Sequence, residues 1–101
     1  MRGLKELNTD SIKEFYKAVL TLKNEEECSA FFSDVCTIKE LIVIAQRLEV
    51  AKLLVQDKSY VEISAESGAS SATISRVNRS LSYGTGGYTM ILDRFNKGKK
   101  K

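Results

Sequence analysis

The stretch of the chain richest in usable chemistry is GASSATISRVNR, residues 68–79. Its hydroxyl and methyl side chains, Ser70, Ser71, Ala72, Thr73 and Ser75, are followed closely by two guanidinium groups, Arg76 and Arg79. The set is poor in catalytic groups. The sequence contains no His and no Gly-rich phosphate loop, so an enzyme is not expected. The same set is well suited to binding. A helix entering the DNA major groove needs small side chains near its N-terminal end, so that its backbone can come close. Ser71 and Ser75 can bond phosphates or base edges, and Ala72 can touch a thymine methyl. The N–H groups at Ser70 and Ser71 can meet a phosphate, aided by the helix dipole. Arg76 and Arg79 can hold phosphates, or bind a guanine bidentately where one reaches a base edge.

These side chains need a scaffold that turns them outward. Ile74 and Val77 lie three apart and give the second helix an apolar back. Gly68 suits the positive φ of a helix end, and Ser70 is a good N-cap for the helix after it. Upstream, Tyr60 to Ser67 forms a short helix with Ser59 and Glu62 at its start, and Ile63 lies five residues before Gly68. Two short helices joined by a glycine turn are the parts of a helix-turn-helix, here at about 59–81. Ser59, Tyr60 and Gly68 join the expected DNA-facing set.

The rest of the chain is helical in pattern, with no proline. Four pairs of a small polar residue and a Glu three later mark helix starts: Ser11–Glu14, Asn24–Glu27, Thr37–Glu40 and Ser59–Glu62. A first helix is expected from Ser11 to Leu22, and a second from Asn24, its Glu25, Glu26 and Glu27 complementing the dipole. The third is long, Ile38 to Val55. Its run Leu41–Ala45 is apolar nearly all round, which predicts a central helix buried on several sides. Asp57 and Lys58 mark a turn. The recognition helix runs from Ser71 to Leu81, YGTGG is a loop, and a last helix covers Tyr88 to Phe95. Residues 1–95 make one domain, and 96–101 a basic, flexible tail. A chain this small rarely surrounds a helix alone, so a homodimer is expected.

Charge is unevenly placed. Residues 1–58 carry nine basic and ten acidic side chains, whereas residues 59–101 carry seven and three. That asymmetry suggests an anionic partner for the second half. No run of eighteen apolar residues exists and the N-terminus lacks a signal-peptide core, so the cytoplasm is the expected compartment, with no membrane partner. Cys28 and Cys36 are expected to be buried or half-buried thiols. On one straight helix they would sit about 12 Å apart, too far for a disulfide, and without His no metal site is expected. No cofactor is implied.

GASSATISRVNRSL resembles the recognition element of the Trp-repressor superfamily. With CTIKELIVIAQRLEVAKLL and SYVEISAESGAS before it, the chain resembles most nearly the Trp-repressor-like YerC/YecD subgroup, over roughly residues 10 to 95. The resemblance implies an all-α fold of six helices per chain in an intertwined homodimer. It implies a DNA-binding transcriptional regulator, a repressor acting on a palindromic operator in double-stranded DNA and associated with the bacterial nucleoid. Tryptophan-sensing members hold the indole between two arginines. Arg76 matches one, and the other falls near Gln46 or Arg47. Their pattern has glycine after the recognition-helix arginine, where this chain has Val77, whose methyl groups would intrude on the ring. An Arg47, Arg76 and Val77 pocket is thus expected not to take tryptophan, and any small-molecule effector is unknown. The alternatives are a repressor with an amino-acid corepressor, and a helical dimerisation or protein-interaction module that has lost DNA binding.

Overall fold

A computed structural model describes residues 6–99, with side chains as far as Lys97. All regular structure among these residues is helical: α1 (Asp10–Val19), α2 (Glu25–Val35), α3 (Ile38–Val55), α4 (Tyr60–Ser67), α5 (Ser71–Tyr83) and α6 (Gly87–Lys99). Packing divides the chain into two compact units, Met1–Thr37 and Ile38–Lys101.

In the first unit, three aromatic rings join α1 to α2. Phe15 stacks on Phe31 at 6.0 Å between centroids, and Phe31 meets Phe32 edge-on at 5.4 Å. No residue of either helix is buried. The start of α1 differs from the expected Ser11–Glu14 pair. Thr9 is the N-cap, its hydroxyl accepting from the Ile12 N–H at 3.3 Å, and Ser11 lies inside the first turn. Thr9 wins because it leaves Asp10 at the positive end of the helix dipole. The helix ends at Val19, short of Leu22. There the chain tightens into three-residue bonds, and the Thr21 hydroxyl donates to the Ala18 carbonyl at 2.7 Å. Asn24 caps α2 as expected, accepting from the Glu27 N–H at 2.9 Å. The Glu27 carboxylate reaches one residue further back, to the Lys23 N–H.

In the second unit α3 supports the other three helices. Its C-terminal half supplies Val50, Ala51 and Leu53 to the core, which Ile63, Ala69, Ile74, Val77 and Leu92 complete. The burial expected at Leu41–Ala45 is not found. Ile42 is 61% and Ile44 52% exposed, because α4, α5 and α6 leave this part of α3 uncovered. Asp57, at φ 60°, stops α3 in the left-handed region, and the Lys58 N–H donates back to the Leu53 carbonyl at 3.2 Å. The last helix runs past Phe95 to Lys99, four residues into the expected tail. Lys97 and Asp93 support that extra turn as an ion pair one turn apart, at 3.3 Å. Lys100 and Lys101 lie outside the described residues.

Candidate nucleic-acid interface

The start of α4 carries a complete reciprocal cap. The Glu62 N–H donates to the Ser59 hydroxyl at 3.2 Å, and the Ser59 N–H to the Glu62 carboxylate at 2.9 Å. The Ser59 backbone N–H, more than its hydroxyl, holds the Glu62 carboxyl below the usual carboxylate range, and Lys58 adds to the effect. At the other end Gly68 adopts φ 75°, a conformation costly for any residue with a Cβ. The turn is compact. The Ser67 hydroxyl donates to the Ile63 carbonyl at 2.6 Å and accepts from the Ala69 N–H at 3.1 Å. Ser70 then caps α5, accepting from the Thr73 N–H at 3.2 Å.

Ile74 and Val77 are 0% and 2% exposed and form the back of α5. Burial of each is worth about 1.5–3 kcal/mol. Helical periodicity then dictates what faces away. Ser71, Ala72, Ser75, Arg76 and Arg79 are all exposed, as are Ser59, Tyr60, Gly68 and Ser70. Neither Arg76 nor Arg79 is paired with a carboxylate among the described residues. Thr73 differs from the rest of the set, being half-buried with its hydroxyl accepting from that of Ser70 at 3.2 Å.

Two side chains outside the expected DNA-facing set take part. Asn78 donates from Nδ2 to the Tyr60 hydroxyl at 3.3 Å, tying α5 to the start of α4. Gln46, on α3, donates from Nε2 to the Ser67 carbonyl at 3.2 Å. Both bonds join residues far apart in the chain, so no local spacing announces them. The family resemblance makes Gln46 only one of two positions that could face Arg76 across a ligand pocket. The structure commits its amide to the turn. Arg47 beside it is half-buried. Val77, at the third position of that expected pocket, is packed in the core.

Similarity to known proteins bears on this arrangement. The model of the family described as Trp repressor protein matches residues 10–96. YerC of Bacillus subtilis, itself described as uncharacterized, is 49% identical over 88 residues, covering 87% of this chain and 85% of that protein. The crystal structure of a candidate Trp repressor from Staphylococcus aureus superposes with a TM-score of 0.91 at 50% identity, covering 95% of this chain and 96% of that one. That of a TrpR-like protein from Eubacterium eligens gives 0.89 at 46% identity, covering 91% and 95%. A family match across both compact units, joined to these likenesses in sequence and fold, places the chain in the Trp repressor protein family.

Proposed function

We propose that the protein is a sequence-specific DNA-binding transcriptional regulator, a repressor that reads double-stranded DNA with a helix-turn-helix made of α4 and α5. One observation carries the reading. The face of α5 opposite its buried anchors is lined by small side chains and two unpaired guanidinium groups. A groove-reading helix needs that combination, and a packing helix does not. The N–H groups of Ser71 and Ala72 lie in the first turn of α5, ahead of any intrahelical acceptor, and can meet a phosphate. Ser59 and Tyr60 start the helix that crosses the backbone.

The regulator acts as a homodimer on a palindromic operator. Support comes from apolar surface that the single chain leaves open. Ile38 is 82% and Leu20 82% exposed. A groove of about 370 Å³ between α3 and α6 is floored by Leu48, Val55, Leu92 and Phe95. Tryptophan is not its corepressor, because Val77 occupies the core and Gln46 is engaged with Ser67. No helix among the described residues is long and apolar enough to cross a membrane. The regulator works in the cytoplasm, on the nucleoid.

The test is selection of bound duplexes from a random library, followed by affinity for the selected site across a salt series. A logarithmic plot falling with a slope of about −0.9 per phosphate contact is expected. Weak binding that is flat in salt would favour the rival reading, an interaction module that keeps the fold without the DNA.

A further inference from the structure

We infer that Gln46 is a positioning residue for DNA recognition: its amide holds the α4–α5 turn to α3 and so sets the angle at which α5 is presented. The inference rests on the DNA reading above. Ser67 is the last residue of α4, so its carbonyl has no intrahelical donor. The Ser67 hydroxyl is already used within the turn, towards Ile63 and Ala69. The carbonyl is met instead by Gln46 Nε2, from 21 residues away in the chain, in a part-buried bond of 3.2 Å. The same nitrogen is the nearest heavy atom, at 3.9 Å, to where a Cβ on Gly68 would project. One α3 side chain therefore lies directly over the turn.

The apolar anchors alone do not fix the angle. Ile63, Ile74 and Val77 hold the helix pair down on α3 through burial, which is non-directional and tolerates rotation about the contact. A hydrogen bond is directional and weakens steeply when misaligned. Gln46 supplies that direction at the pivot of the pair. Rotation there would swing Ser71, Ser75, Arg76 and Arg79 together relative to a groove. Nothing in this device needs a bound small molecule.

Three variants of the full chain test it. Gln46→Leu removes the donor, Gln46→Glu sets an acceptor against the carbonyl, and Gln46→Lys keeps a donor. The first readout is amide hydrogen exchange at Gly68 and Ala69. Loss of one part-buried bond, leaving the carbonyl unsatisfied, should raise local opening about tenfold in the Leu and Glu variants. The Lys variant should stay protected. Exchange along Val50–Leu54 should not change in any of them. The second readout is affinity for the selected duplex. It should weaken in the Leu and Glu variants with an unaltered salt slope, since no phosphate contact is removed. Unchanged exchange at Gly68 and Ala69 in the Leu and Glu variants would overturn the inference. So would equal loosening in all three, or loosening spread evenly from α3 to α6, which would make Gln46 merely structural. A wild-type chain that binds no duplex while the exchange pattern holds would refute the DNA reading and leave the staple standing.

Discussion

Replacing Val77 in two steps separates its packing from its place in the helix. Its side chain is 2% exposed, against Ile74 and the α3 core. Val77→Ala removes two buried methyl groups, worth about 1.6 kcal/mol by transfer with a smaller cavity term, and regains about 0.5 kcal/mol because alanine is the better helix former. The net cost is then about 1–2 kcal/mol. Going on to Val77→Gly removes little further contact but adds about 1 kcal/mol of helix cost, for about 2–3 kcal/mol in all. Urea unfolding followed by circular dichroism measures both steps. Protein concentration must be held fixed, because association would shift the apparent stability. The same samples go to calorimetry with millimolar L-tryptophan. No saturable heat is expected from either the native chain or Val77→Gly. Opening the space does not create a site while the Gln46 amide stays on the Ser67 carbonyl. A loss of only about 0.5 kcal/mol for Val77→Gly would show that Val77 is not an anchor, since the helix terms alone, about 1 kcal/mol lost against about 0.5 kcal/mol regained, account for that much. A micromolar tryptophan fit with the native chain would refute the reading of the pocket outright.

Arg79→Ala should weaken binding to all duplexes alike and shallow the salt slope by about 1, as read by fluorescence anisotropy over a salt series. Gly68→Ala should destabilise the second unit by about 1–2 kcal/mol in urea, as a purely conformational cost. The φ there is 75°, and no heavy atom approaches the new Cβ closer than 3.9 Å. The start of α4 should loosen in acid. Glu62 has a folded-state pKa below its ordinary value, so its contribution is complete above the usual glutamate range, about pH 4.3, and is lost as pH falls through the lower folded value. Amide exchange at Ser59 and Glu62, compared between native chain and Glu62→Gln across that window, checks it. The difference should vanish at the acid end.

What could be read from the sequence was local. Ser59 with Glu62, Gly68, Ser70, and the spacing of Ile63, Ile74 and Val77 all fall within 19 residues, and each carries its own physical signal. The structure finds the reciprocal cap, the left-handed glycine and three buried anchors at those positions. What escaped was long-range or degenerate. Gln46 to Ser67 and Asn78 to Tyr60 leave no periodicity, because a bond between side chains on different helices needs only that the fold bring them together. Thr9 and Ser11 are both good caps two residues apart, and the choice turns on Asp10, not on either hydroxyl. The end of α6 is hidden in the sequence because Asn96, Lys97 and Gly98 read as a frayed tail, whereas the helix runs to Lys99. The Asp93–Lys97 pair supports another turn.

The apolar run of α3 teaches a different lesson. Composition alone says that a surface must be covered, but not by what. Along α3 the two halves fare differently. Val50, Ala51 and Leu53 are buried by α4, α5 and α6 of the same chain, while Ile38, Ile42 and Ile44 stay open. The helix pair that carries Ser75, Arg76 and Arg79 is therefore seated on the half of α3 that one chain completes by itself. Its angle is set by Gln46, which lies between the two halves. On this reading the shape of each DNA-reading surface is an intrachain property. Association through the open half governs only how two such surfaces are spaced, and hence which half-site separation an operator must have. Substitutions at Ile38 or Ile42 belong to that second class. They should change the spacing or the avidity of the pair and leave the bases preferred within each half-site as they were.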